Sequence, residues 1–114
     1  MDKSAIITLT NDKNKVIAEF MVKKLTIATN ARRLSMTSRI IDLDLDDAEK
    51  GQLLTCAALA ATVYNVDGTI LYPDKDGADN LYNEMDIEVY EALCKAYVEL
   101  NPLEPTLTAK KKKS

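Results

Sequence analysis

The chain has 114 residues, of which 46% are hydrophobic and 29% charged, so it can build one core but has little length left for a second domain. It contains no histidine, which excludes Ser–His and Cys–His nucleophile pairs, an imidazole base and the usual zinc sites. Cys56 and Cys94 lie far apart in apolar surroundings, so we expect them to be small buried hydrophobes. This composition predicts a chain that is not an enzyme.

The spacing of acidic residues and glycines disfavours a calcium site and a nucleotide-binding site. Residues 74–77 (DKDG) are similar to part of a calcium loop, but the alignment puts Tyr72 and Asn83 where the first and last ligands should be acidic. The three glycines are too widely separated for a P-loop or a dinucleotide fingerprint. We therefore expect no metal, no cofactor and no catalytic residues. The longest apolar run, residues 56–61, is far shorter than the ~20 residues of a membrane span, which predicts a soluble, cytoplasmic protein.

Charge is distributed unevenly along the chain. Residues 1–39 carry eight basic and three acidic side chains, residues 40–109 carry fifteen acidic and three basic ones, and residues 110–113 are four lysines. The asymmetry has three possible explanations. The two regions can neutralise each other within one fold. A basic surface can bind nucleic acid, although the acidic majority would repel phosphates. Finally, the basic start of one copy can meet the acidic body of the next, which builds rings or spirals that weaken in salt.

The start of the chain predicts a β-hairpin. Residues 4–10 (SAIITLT) are rich in β-branched side chains, residues 11–14 (NDKN) form a turn cluster, and a second β-prone run follows over 16–25. The second run could also begin as a helix, because residues 18–21 tolerate helical structure.

The next segment predicts a helix capped by Thr29 or Asn30 and extending to about Leu43. One apolar stripe recurs at spacings of three and four, comprising Ile27, Ala31, Leu34, Ser38, Ile41 and Leu45. Met36 and Ile40 fall partly off this stripe and leave a second apolar surface. We expect Ile40 to pack on the hairpin, whereas Met36 could be core or exposed.

Acidic residues precede the second helix. Asp46 or Asp47 can cap it, and Asp46 with Glu49 has capping-box spacing. We expect this helix to run to about Tyr64 and to occupy the centre of the core, because its many alanines permit close approach of other helices. A turn at residues 65–69 follows.

The remaining segments complete the predicted fold. A short extended piece at 70–72 leads to a short helix that Asp76 can cap, and Asp86 can cap a last helix that ends at Leu100. The sequence thus predicts a mainly α fold of four helices with a small N-terminal β-hairpin or strand element. We expect a single domain at residues 1–102 and a flexible basic tail at 103–114.

The order of these elements resembles that of a known family. The matching segments cover about residues 20–102 and are residues 24–27 (KLTI), 32–34 (RRL), the alanine-rich 53–63, 66–74 (VDGTILYPD), and 81–85 leading into a final helix that ends at 100–102 (LNP). They are similar to the tail assembly chaperones of long-tailed, siphophage-type bacteriophages.

The resemblance implies a non-catalytic chaperone of the host cytoplasm that is not retained in the mature virion. Such proteins bind the hydrophobic tape-measure protein, keep it soluble, and help tail-tube subunits to assemble around it. Members of the family tend to self-associate into spirals. Many also exist as a longer form made by a programmed ribosomal frameshift, and the lysines at 110–113 stand where adenine-rich codons would lie.

Ten residues are our candidates for partner binding and self-association. They comprise apolar groups that could lie at the surface, basic groups of the first region and acidic groups of the second: Phe20, Met21, Lys23, Lys24, Arg32, Arg33, Met36, Arg39, Asp42 and Asp44. Two alternatives to the chaperone remain: a small phage regulatory or inhibitor protein that binds a host protein, and a nucleic-acid-binding domain.

Overall fold

The structure is a computed structural model that describes residues 3–102. The elements in chain order are β1 (Ser4–Thr10), β2 (Val16–Lys23), α1 (Ile27–Ile41), α2 (Asp47–Thr62), β3 (Val63–Tyr64), α3 (Gly77–Glu84) and α4 (Ile87–Leu100). The prediction of a mainly α fold with four helices and an N-terminal β-hairpin is confirmed. The predicted basic tail at 103–114 lies outside the described residues.

The predicted hairpin is formed by β1 and β2. The strands pair antiparallel with Ile7 opposite Phe20, and a β-bulge falls between Leu9 and Thr10. In the turn, the Asn11 side-chain oxygen accepts from two backbone N–H groups, and Asn14 adopts a φ of 62°, a left-handed conformation that asparagine tolerates. Burial alternates along β1, so one face of the hairpin covers the helices while the other remains exposed.

A third strand was not predicted. The expected end of α2 at Tyr64 is wrong, because the helix ends at Thr62 and Val63–Tyr64 pairs with β2 instead. Val63 and Val22 face each other across this pairing and both are fully buried. Burying two β-branched side chains together favours the extended conformation over another helical turn. Of the predicted extended piece at 70–72, only Ile70 forms a bridge, which joins it to Tyr64.

The N-terminus of α1 differs from the predicted one. The capping residue is Thr26, three or four residues before the expected Thr29 or Asn30. The Thr26 hydroxyl accepts from the Thr29 N–H at 3.2 Å, and the Thr29 hydroxyl accepts from the Thr26 N–H at 2.8 Å. Threonine thus fills both positions of a capping box, in which the second residue is usually Glu or Gln. The helix also ends two residues before the expected Leu43, at Ile41.

The buried face of α1 is the second apolar surface that the sequence indicated. Met36 and Ile40 belong to the core, whereas Ile27, Leu34 and Ile41 are exposed. The burial expected for Ile40 is therefore confirmed, although α1 packs mainly against α2 rather than against the hairpin. Arg32 precedes Met36 by one helical turn and donates to the Ala60 carbonyl of α2, so it lies on the same side of α1 as Met36.

The second helix occupies the centre of the fold, as its alanines predicted. From Cys56 to Thr62 every residue of α2 is buried, and α2 contacts α1, α3, α4 and β2. Asp46 caps it, since the Asp46 carboxylate accepts from the Glu49 N–H at 2.8 Å. Small residues permit the close approach of α3: a Cβ added to Gly77 would lie 3.3 Å from the Ala60 Cβ.

The fourth helix packs against both strands of the hairpin. It contacts β1, β2 and α2, and it buries Leu93 and Ala96. Just beyond its end, the Asn101 side-chain oxygen accepts from the Leu25 N–H at 2.9 Å and ties the helix to the exit of the hairpin. Among the described residues, no helix is both long and apolar enough to cross a membrane.

Candidate binding surface

An exposed apolar stripe runs along the full length of α1. It consists of five residues, Ile27, Ala31, Leu34, Ser38 and Ile41, which we call the α1 stripe. Ile27 is 93% exposed, Leu34 48% and Ile41 55%. The sequence correctly placed these residues on one face, but the structure leaves that face uncovered.

The spacing of the α1 stripe is that of a coiled-coil seam. Its members follow one another at intervals of four, three, four and three residues, which is the spacing of the two apolar positions of a heptad. Large aliphatic residues alternate with Ala31 and Ser38, so a second helix could approach closely between them. At 1.5 Å per residue the α1 stripe is about 21 Å long, four helical turns. This geometry suits contact with another helix.

Arg32 is a structural residue rather than part of a basic surface. Its guanidinium donates to the Ala60 carbonyl near the end of α2 at 2.5 Å, to the Tyr72 carbonyl, and to the Asp74 carbonyl at 3.2 Å. A positive charge at the C-terminus of a helix is favourable, because the last carbonyls lack intrahelical partners. One side chain thereby holds α1, α2 and the loop before α3 together.

Arg39 and Arg33 also bind within the chain. Arg39 forms ion pairs with Asp76 at 3.1 Å and with Asp79 at 3.3 Å, so it joins α1 to the start of α3. Asp76 precedes α3 as predicted, but its side chain makes no capping bond. Arg33 binds the Asn30 side-chain oxygen through two nitrogens. Basic and acidic regions of the sequence are thus neutralised in part inside one fold, which leaves fewer basic groups for a nucleic acid.

The three apolar candidates differ in burial. Met36, which the sequence left open between core and surface, is 3% exposed and lies in the core, so it is not available as a binding residue. Phe20 is partly buried and packs against the core from the inner face of β2. Met21 lies on the opposite face of the same strand, half-buried beside Tyr64. Exposed apolar surface therefore comes from the α1 stripe more than from these three residues.

The lysine candidates lie at the exit of the hairpin. A cavity of about 330 Å³ is lined by Lys3, Lys23, Lys24, Leu25 and Thr26. The Lys23 ammonium sits 4.3 Å from the centre of the Tyr64 ring, a distance at which the ring attracts a cation. The lysines thus form a basic rim beside the N-terminus of α1.

The acidic candidates flank the other end of α1. Asp42 and Asp44 are both exposed, and Asp42 is the C-capping residue whose backbone N–H donates to the Ile40 carbonyl. A carboxylate at a helix C-terminus is unfavourable, and Lys50 offsets it by donating to the Ile41 carbonyl at 3.0 Å. The α1 stripe therefore runs from a basic end to an acidic end.

A second cavity, of about 260 Å³, opens between α2, α3 and α4. Its lining includes Cys56, Tyr90 and Gln52, and the Tyr90 hydroxyl donates to the Gln52 side-chain oxygen at 2.6 Å. Burial raises the pKa of the Cys56 thiol to about 12 and that of Tyr90 to about 12. Both groups are therefore neutral at physiological pH, and a neutral thiol is a poor nucleophile.

No protein-family model, curated protein or solved structure matches this chain.

Proposed function

We propose that this chain is a non-catalytic phage tail assembly chaperone. It binds the hydrophobic tape-measure protein in the host cytoplasm, keeps it soluble, and helps tail-tube subunits to assemble around it. The observation that carries the proposal is the α1 stripe, an exposed apolar seam with heptad spacing on a small domain. The order of sequence segments resembles that of the tail assembly chaperones, and this resemblance is the reason for proposing a tape-measure protein as the partner.

The α1 stripe supports contact with a long helical chain. Ile27, Leu34 and Ile41 present large aliphatic side chains at intervals of seven residues, and each exposes about half or more of its surface. Burying such side chains against a partner removes apolar area from water, which is worth about 25 cal/mol per Å² before the costs of association. Because a tape-measure protein is long, many copies of this small domain could cover one partner chain.

The test is a pair of double variants on two different helices. Leu34→Lys with Ile41→Lys charges the α1 stripe, while Ile87→Lys with Val98→Lys charges two comparably exposed residues of α4. Each variant is produced together with an apolar helical fragment of the tape-measure protein, and the soluble complex is measured. We expect the α1 variant to lose binding by about tenfold or more, because central apolar anchors dominate most interfaces.

The α4 variant is the control, and we expect it to bind the fragment like the unmodified chain. Both variants alter only exposed positions, so each should keep its fold, which circular dichroism verifies. Equal binding by the two variants would remove the α1 stripe from the proposal. A complete absence of binding by the unmodified chain would remove the tape-measure protein as partner.

Self-association is part of the same proposal. The hairpin region, residues 3–24, carries five lysines against Asp12 and Glu19, whereas residues 40–102 are strongly acidic. Contacts between unlike regions of successive copies would build a spiral. We expect assemblies larger than a dimer at low salt that dissociate as salt is added, because exposed charges are screened. Sedimentation velocity at two salt concentrations measures this, and assemblies insensitive to salt would contradict it.

A further inference from the structure

The first strand of the sheet has one unpaired side. The strand order is β1-β2-β3, so β1 stands at the edge, and within residues 3–102 it pairs with β2 alone. An edge strand presents a row of backbone donors and acceptors to whatever approaches it.

The register shows which backbone groups point outward. The Lys24 N–H donates to the Lys3 carbonyl at 2.7 Å, which makes Lys3 and Lys24 a hydrogen-bonded pair. Hydrogen-bonded and non-bonded pairs alternate along an antiparallel ladder. The backbone groups of Ala5, Ile7 and Leu9 therefore face β2, and those of the other four residues of β1 face away from it: Ser4, Ile6, Thr8 and Thr10.

This edge carries almost none of the usual protection against pairing. Natural edge strands are blunted by charged residues, prolines, bulges or short length. The seven residues of β1 include neither a charge nor a proline, and the bulge beside Thr10 lies at one end of the strand. Ile6 is also exposed on the outer face.

We propose that β1 binds β1 of a second copy of this chain, antiparallel and about a two-fold axis at Ile7. This is the only antiparallel register that pairs all four outward-facing residues: Ile6 lies opposite Thr8 of the second copy, and Ser4 lies opposite its Thr10. The two three-stranded sheets then become one sheet of six strands.

The sequence of β1 is self-complementary in that register. On the face toward the helices, Ile7 meets Ile7 and Ala5 meets Leu9, so the apolar inner row continues from one copy into the other. On the outer face each Ile6 meets a threonine. Because β1 has no charged side chain, the two copies bring no like charges together along the strand. A contact between two identical strands about a two-fold axis is closed, so it ends at the dimer. Pairing through β1 does not rest on the proposed function.

Two double variants test the register. Ile6→Lys with Thr8→Lys places lysine opposite lysine twice across the axis, whereas Ile6→Lys with Thr8→Glu places lysine opposite glutamate twice. At high salt, where the salt-sensitive assemblies of the chaperone proposal dissociate, we expect the unmodified chain to remain a dimer of 12.6 kDa subunits, because backbone hydrogen bonds and apolar contacts hold it. At low salt we expect the lysine–lysine variant to dimerise about tenfold or more weakly than the lysine–glutamate variant.

The fold itself provides the control. Thr8 lies opposite Glu19 in the hairpin and donates to its carboxylate at 3.0 Å. Lysine at position 8 therefore gains an attractive neighbour inside the subunit, while glutamate there gains a repulsive one. Any effect on folding thus opposes the expected effect on dimerisation, and thermal unfolding measures it separately.

The outcomes separate this proposal from the chaperone proposal. Sedimentation of the unmodified chain from about 10 μM to about 1 mM covers the range of weak dimers. A monomer throughout, or two variants that dimerise equally, overturns pairing through β1 and leaves binding by the α1 stripe intact. A salt-resistant dimer whose strength follows the charge pattern supports pairing through β1, even where no tape-measure fragment is bound.

Discussion

Replacing Arg32 with methionine is expected to lower the free energy of unfolding by about 2–4 kcal/mol, a large share of the stability of a small domain. The methionine keeps the apolar stem but removes every donor. The carbonyls of Ala60, Tyr72 and Asp74 then lose a charged partner in a partly buried position. Hydrogen bonds to charged groups contribute more than neutral ones, and unmatched buried acceptors cost further free energy.

Urea denaturation measures this loss, and Arg33→Met provides the matched control. Arg33 occupies the next position of α1, but within residues 3–102 its guanidinium donates to the Asn30 side chain of its own helix rather than to another element. We expect Arg33→Met to change the free energy of unfolding by less than about 0.5 kcal/mol. Arg32→Lys should recover little of the loss, because an ammonium cannot reproduce the planar fork. Equal effects of the two methionine variants would contradict a structural role for Arg32.

Arg32 also shows why the candidate site was only partly predictable. In the sequence, an arginine pair beside an apolar helix is typical of a basic surface. Whether the guanidinium meets solvent or backbone carbonyls depends on Tyr72 and Asp74, which lie 40 or more residues away along the chain. These contacts lie on the same side of α1 as the buried Met36 and Ile40. Helical periodicity identified both apolar faces, but it carries no information on which one meets α2.

The hairpin, the start of α2 and the end of α4 were predictable because their signals are local. A four-residue polar turn separates β1 from β2, Asp46 caps α2, and Asn101-Pro102 ends α4. In contrast, β3 is two residues long and exists through its pairing with β2, some 40 residues earlier. A strand this short carries no periodicity of its own. The sequence alone therefore does not separate its β-prone residues, Val63 and Tyr64, from the preceding helix.

The two candidate interfaces, the edge of β1 and the α1 stripe, also combine a local sequence pattern with a long-range feature of the fold. The strand character of β1 was evident from its β-branched residues, but its position at the edge of the sheet is a property of the topology. The heptad spacing of the α1 stripe was also present in the sequence, but it does not show whether the stripe is buried or exposed. Both interfaces thus depend on local patterns that became informative only when the long-range contacts were known.

Leu93→Ala is expected to lower the free energy of unfolding by about 2–5 kcal/mol, the range for a fully buried leucine whose site cannot collapse. Leu93 is 0% exposed on the helix that supports β1 and β2, whereas Val98 on the same helix is 50% exposed. Val98→Ala is therefore the control, with an expected change below about 0.5 kcal/mol. Urea denaturation measures both. A loss below about 1 kcal/mol for Leu93→Ala would contradict a tightly packed site for Leu93 in the core.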